Sequence, residues 1–301
     1  MEKVSGQKRK SRLRGWVFWP PFLVLLMVLI LGFVSQDAFL KVVNGVKDWI
    51  WGNFKWLFSG YGLAAVGVCF YACFSKFGNT VIGGKDAKPI LGKFNWFAIS
   101  LCTTIAAGLM FWAAAEPLYL MSDPSPFFDI EPNSPQAAVF AMAQMYLHWG
   151  ITPYAIYALA ATVFAFTYYN MKKPFSLGAC ISPLLGERAT KGRLADIIDA
   201  LCIFILCAGM SGSLSTGAFS VAGGISNITG IPTNGIMLII VMAAIILVYT
   251  ISASSGIMKG IKWLSSFNVY IFSFLILFIF LFGPTKFILN FGVESVGELM
   301  D

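Results

Sequence analysis

Residues 236–254 read IMLIIVMAAIILVYTISAS and contain no charged side chain. Nineteen residues at a helical rise of 1.5 Å reach about 28 Å, close to the ~30 Å hydrocarbon thickness of a bilayer. A segment of this kind crosses a membrane as one helix. Working outward, similar apolar runs occupy roughly residues 16–35, 54–75, 95–121, 137–169, 195–225 and 265–290. The expectation is an all-α integral membrane protein with seven transmembrane helices. The first run is longer than the h-region of a signal peptide, and no small-residue cleavage site follows Val34.

Composition agrees. Over 301 residues 58% are hydrophobic and only 12% charged, with a mean hydropathy of +0.77. The charged share is about half the ~25% of a soluble domain. The net charge of +7 does not indicate a nucleic-acid partner, because the basic residues lie in short segments between apolar runs. With the N-terminus inside, the cytoplasmic segments hold six Lys and Arg before Gly15, then Lys76, Lys85, Lys88 and Lys93, five from Lys172 to Arg193, and Lys259 with Lys262. Only Lys41, Lys47, Lys55 and Lys286 fall on the other side, whose 122–136 loop carries Asp123, Asp129 and Glu131 and no base. Lys and Arg accumulate on the cytoplasmic side of membrane proteins, so the N-terminus reads as cytoplasmic and the protein as a multi-pass component of the cell inner or plasma membrane.

Within the fourth run, Gly150 and Pro153 predict a bend: proline lacks the amide proton that the Trp149 carbonyl would accept. The fifth run carries small residues every fourth position, at Gly209, Ser213 and Gly217 and at Gly212, Thr216, Ser220 and Gly224. Such stripes allow close helix packing, or a helix loosened to line a cavity. The six cysteines, at 69, 73, 102, 180, 202 and 207, have no metal-ligand spacing and read as small buried hydrophobes.

Enzyme constellations are mostly absent: no paired-histidine helix, phosphate loop, nucleophile elbow or chain of intramembrane carboxylates occurs. His148, the only histidine, keeps an acyltransferase-like membrane enzyme in view, although the sequence offers it no obvious partner. In residues 103–117 (TTIAAGLMFWAAAEP) a small, hydroxylated start can unwind at low steric cost. Phe111 and Trp112 then offer aromatic faces, and Glu116 either caps or pairs structurally or stands charged at the membrane boundary. On a continuous helix Trp149, Tyr157 and Tyr154 fall at about 0°, 80° and 140°, within one half of the surface. Converging rings without a carboxylate can hold a quaternary ammonium by cation–π attraction; core or interfacial aromatics are the alternative.

The stretches GLMFWAAAEPL (108–118), HWGITPYAIYA (148–158), PFSLGACISPLLGER (174–188) and SGIMKGIKWLSSFN (255–268) together closely resemble the betaine/carnitine/choline transporter family, in the family's order. The resemblance implies a secondary transporter of the inverted-repeat type with twelve spans, two preliminary helices followed by two five-helix repeats. It implies a small quaternary-ammonium substrate (glycine betaine, choline or carnitine), the lipid bilayer as surroundings, no organic cofactor and, in sodium-coupled members, Na+ as the coupling ion. Carried over by position, Trp149 and Tyr157 match the family's aromatic box, Phe111 an aromatic bordering the central site, and Tyr154 stands where a tryptophan is usual. Cys102 and Ile105 lie in the stretch whose carbonyls help bind sodium, here with Thr104 and Ala106 in place of glycines. Leu206 and Met210 stand at places where sodium-coupled members have threonines, and neither is a hard oxygen ligand.

The resemblance divides the chain into a basic cytoplasmic segment (1–15), two preliminary transmembrane helices (16–94), the first five-helix repeat (95–290) and a short external tail (291–301), with the second repeat missing. The expectations that follow are a transporter polypeptide incomplete as given, completed by a longer gene, by a second half-transporter chain or as a homo-oligomer; a non-transporting remnant or partner-binding membrane protein; or the enzyme centred on His148.

The charge asymmetry makes a topological prediction. In a cysteine-free variant, a cysteine introduced at position 129 is labelled by a membrane-impermeant maleimide from outside, and one at position 191 only after the membrane is opened. Reversed accessibility at both positions contradicts the assigned orientation.

Overall fold

The computed structural model describes residues 14–104 and 108–300, and every regular element among them is helical. Hydrocarbon offers backbone groups no partner, so a spanning segment must satisfy its own N–H and C=O groups, as a helix does. The longer helices are α1 (Gly15–Val34), α2 (Gln36–Phe74), α3 (Lys93–Thr104), α4 (Gly108–Ser122), α5 (Pro135–Trp149), α6 (Ile151–Ala165), α7 (Arg193–Thr229), α8 (Gly235–Ser254), α9 (Lys262–Phe282) and α10 (Thr285–Met300).

Among the described residues, six segments are long and apolar enough to cross a membrane: Gly15–Val34, Gln36–Phe74, Pro135–Asn170, Arg193–Thr229, Gly235–Ser254 and Lys259–Phe282. They coincide with six of the seven expected spans. The remaining one, 95–121, falls on α3 and α4, of 12 and 15 residues, each shorter than one crossing requires.

Two boundaries differ from the sequence reading. The stretch 36–53, expected as a loop, is the first half of α2. Ser35 caps it by accepting from the Ala38 N–H at 3.3 Å, and Asp37 in the first turn favours the positive end of the helix dipole. Its 39 residues reach about 58 Å at 1.5 Å each, so the helix extends well beyond the apolar window. The seventh run stops at Phe282 instead of 290. The Gly283 N–H closes α9 on the Ile279 carbonyl at 2.9 Å, Pro284 cannot continue it, and α10 starts at Thr285.

The chain forms two compact units. In the first, Met1–Leu57 with Thr162–Gly209, Asp199 joins three segments. Its Oδ2 accepts from the Arg14 guanidinium at 2.7 Å and its Oδ1 from the Ser176 hydroxyl at 2.5 Å, while Arg14 also pairs with Asp196. Gly178 lies so close that a Cβ there would stand 3.2 Å from Asp199 Oδ1 and 3.3 Å from Ile198. Further along the 171–192 loop, hydrogen bonding from Lys173 (2.9 Å) and then Thr190 holds the Glu187 carboxyl below its ordinary pKa.

In the second unit, Phe58–Ala161 with Met210–Asp301, small residues make the contacts. A Cβ on Gly62 of α2 would stand 3.3 Å from Thr152 Cγ2 of α6. Ala65 is buried one turn on, and the Cys69 thiol donates to the Ala155 carbonyl at 3.3 Å. Ala218 and Ala222 of α7 pack on Val241 and its neighbours in α8. Between α3 and α9, Phe94 stacks on Tyr270 at 5.1 Å and the Ser266 hydroxyl donates to Asn95 at 3.2 Å. Eleven of the fifteen buried apolar residues described are alanine, whereas large apolar side chains face outward. This inverts a soluble core, because lipid is as apolar as leucine and close backbone approach drives association instead. It also corrects the expectation for the cysteines: Cys73 and Cys207 are exposed, as apolar side chains on a lipid-facing surface can be.

Glycines supply a paired test. A Cβ at Gly150 would meet the Tyr146 carbonyl oxygen at 2.2 Å, whereas one at Gly223, inside α7, would meet nothing within 4 Å. Gly150→Ala should destabilise by about 1–3 kcal/mol, and Gly223→Ala should be neutral or stabilising by up to about 1 kcal/mol through helix propensity. Thermal midpoints in detergent check the opposite signs.

Candidate functional site

Helices α4, α5 and α6 carry most of the expected site residues. The connection from α4 to α5 uses Asp129 and Asn133, both left-handed at φ of 50° and 58°, residue types that tolerate that conformation. The Asn133 N–H returns to the Met121 carbonyl at 2.9 Å. Ser134 then caps α5, accepting from the Ala137 N–H at 3.0 Å, with Pro135 in the first turn. The start of α5 is thereby tied to the end of α4.

The bend expected from Pro153 is present, but its seat is Gly150, whose φ of −91° and ψ of −131° end α5. Pro153 instead occupies the third position of α6, where its missing N–H leaves no intrahelical bond unmade. This shift corrects the angular grouping of the aromatics. Tyr154 and Tyr157 share a face of α6, three residues and about 60° apart, but the wheel cannot be carried back across Gly150 to Trp149.

Trp149 is held by a contact that the sequence did not specify. Its indole N–H donates to Glu116 Oε2 at 2.7 Å, and His148 Nδ1 lies 2.6 Å from Glu116 Oε1. A carboxylate only accepts, so Nδ1 carries the proton. The histidine that had no evident partner therefore has one, 32 residues earlier in the chain, and Glu116 takes the pairing role among its two expected ones. Its side chain is 19% exposed, and two donors at these distances satisfy both oxygens. Charge-assisted bonds of this kind contribute about 1.5–3 kcal/mol each when shielded from water, and less where a partner is half exposed, as His148 is.

Phe111, on α4 with Glu116, meets Trp112 edge to face at 5.0 Å. Trp149 and Tyr154 are half-buried and Tyr157 is exposed. Among the described ring contacts none joins Trp149, Tyr154 and Tyr157, so the three rings do not stack into one another. Of the expected ion-binding pair, Ile105 lies outside the described residues. Cys102 stands in the last turn of α3, its thiol 3.6 Å from the Ser265 carbonyl and from the Asn268 amide of α9. Leu206 and Met210 are exposed apolar side chains and offer no hard oxygen. Among the described residues no three of His, Cys, Asp and Glu converge as a metal site.

Comparison with known proteins supplies the family. The sequence model of the betaine/carnitine/choline family transporters matches residues 16–301. The chain is 32% identical over 284 residues to the glycine betaine transporter OpuD of Bacillus subtilis, covering 94% of this chain and 54% of that protein. It is 31% identical over 297 residues to the betaine/ectoine transporter LcoP of Corynebacterium glutamicum, covering 98% and 47%, and 29% identical over 289 residues to an ectoine/hydroxyectoine transporter of Virgibacillus pantothenticus, covering 96% and 57%. The chain thus spans about half the length of the curated relatives it matches. These relatives are transporters and not enzymes, which removes the acyltransferase-like reading of His148. A multi-pass helical membrane protein with these relatives, matched by the family model along nearly its whole length, belongs to the betaine/carnitine/choline transporter family.

Proposed function

We propose that this chain contributes one side of the substrate site of a secondary transporter for quaternary-ammonium compounds of the glycine betaine, choline or carnitine class. The observation that carries the reading is the aromatic set Trp149, Tyr154, Tyr157 and Phe111 on adjoining helices, with the Glu116 carboxylate on the edge of Trp149. A trimethylammonium group donates no hydrogen bond and is bound by π faces and nearby negative charge. The relatives' names, glycine betaine and betaine/ectoine transporters, point to the same class.

The proposed architecture is seven crossings: two preliminary helices and the first five-helix repeat of an inverted-repeat transporter. Parity supports it. The contacts of Arg14 with Asp196 and Asp199 bring the starts of α1 and α7 to one membrane face, which requires an even number of crossings between them. The segments α1, α2 and α5–α6 supply three, so α3–α4 makes the fourth. The basic asymmetry makes that face, and the N-terminus, cytoplasmic. A site formed between two repeats draws residues from both, and this chain is assigned the first-repeat side. Its complement is a second repeat, on a longer form of the same polypeptide, on a second half-transporter chain or on another copy of itself, for which Gly212, Gly223 and Gly224 offer Cβ positions with nothing within 4 Å. Sodium, where it couples transport, is assigned to the carbonyls around Cys102 and Ile105 and not to Leu206 and Met210.

The binding assignment is tested by tryptophan fluorescence titration with glycine betaine, choline and carnitine on the chain paired with a second half in lipid nanodiscs. Trp149→Ala should weaken binding by about 1–2 kcal/mol, a loss of roughly five- to thirtyfold. Trp149→Phe should lose less, and Tyr154→Trp should leave affinity unchanged or raise it. Unaltered binding of all three ligands by Trp149→Ala removes the aromatic cage from this position.

A further inference from the structure

We propose that Glu116 is a positioning residue for the ammonium cage: its carboxylate tethers the Trp149 indole by the ring edge and so fixes the direction of the π face. The inference rests on the binding role proposed for Trp149 and assigns Glu116 a part in that same site.

Three observations converge on it. Trp149 is the last residue of α5, and the next residue, Gly150, has left the helix. The helix thus ends at the ring, and a tertiary contact is free to set its orientation. Indole carries a single donor, Nε1–H, which lies in the ring plane. The 2.7 Å bond from that atom to Glu116 Oε2 therefore opposes rotation of the ring and, being made at the ring edge, occupies neither π face.

The carboxylate is itself held. His148 Nδ1 takes the second oxygen at 2.6 Å, and Glu116 is mostly out of water at 19% exposure. It also lies on α4 with Phe111, five residues earlier, so one helix carries both an aromatic wall of the proposed site and the tether of another. Histidine at 148 and tryptophan at 149 are consecutive, yet both reach the same carboxylate because α5 ends there and its last turn faces α4.

The tether can be observed without a ligand. In the full chain, labelled with indole-15N tryptophan and held in lipid nanodiscs, the Trp149 Nε1–H resonance is the one lost in Trp149→Phe. A bond to a carboxylate shifts this proton downfield. Glu116→Ala should move the resonance upfield and broaden it. Glu116→Gln, which keeps an acceptor oxygen, should restore most of the wild-type position. Fluorescence titration with choline and glycine betaine then reads the consequence. Glu116→Ala should weaken binding about three- to tenfold in the wild-type background, with little further loss in the Trp149→Phe background, which lacks the donor.

An unmoved Trp149 resonance in Glu116→Ala overturns the proposal, and so does an equal loss of affinity in both backgrounds, the signature of a helix-packing role alone. A resonance that moves in Glu116→Ala and returns in Glu116→Gln, in a chain that binds none of the ammonium ligands when paired with a second half, establishes the tether and removes the binding role proposed for Trp149 instead.

Discussion

The constraint on which this structure depends is the absence of water from the bilayer interior. A backbone group left unpaired there costs several kcal/mol, so each spanning segment closes its own hydrogen bonds and the described regular structure is wholly helical. The same constraint moves the sources of helix association. Burial of large apolar side chains gains nothing against lipid, and the interior is built from Ala65, Ala155, Ala218 and Ala222 and the close approach at Gly62. Polar groups then mark either the ends of helices, as Ser134 and Asn234 do with their caps, or the few positions where side chains pair.

Those pairs divide by location. Arg14, Asp196, Asp199 and Ser176 form a network at the start of α1 and α7, where segments emerge from the apolar region and ion pairs fasten a loop to a helix end. Glu116, His148 and Trp149 form another, inside segments that are otherwise apolar. An ionisable residue within a span is costly, and proteins that retain one give it a partner and commonly a task. The triad joins the bent α5–α6 segment to α4, so the break at Gly150 and the pairing at Glu116 act on the same ring.

Membership of the betaine/carnitine/choline transporter family gives the triad its context. An ammonium cage needs rings at fixed angles more than it needs hydrogen-bond donors. The protein's means of fixing them are packing and, at Trp149, a bond to the one polar atom that the indole has. Tyr154 sits past the break on α6 with Tyr157. The two tyrosines are set by helix periodicity and Trp149 by a tertiary contact, so two different physical mechanisms place the rings of the proposed cage.

The sequence by itself determined the class of protein, the places of most spans and the family. Long uncharged runs, basic loops and a proline after a glycine act locally, through transfer free energy and backbone sterics, and can be read residue by residue. It also named Trp149, Tyr154, Tyr157 and Phe111 as aromatic candidates. It did not reveal that 36–53 continues as helix, because polar composition argues against a membrane and not against a helix. Nor did it reveal that the break falls at Gly150 instead of within the first turn of α6. That depends on the Tyr146 carbonyl, which leaves no room for a Cβ. Above all, it gave His148 no partner. Glu116 lies 32 residues away on another helix, and no periodicity relates residues on separate helices; only the packing of α4 against α5 brings them within 2.6 Å.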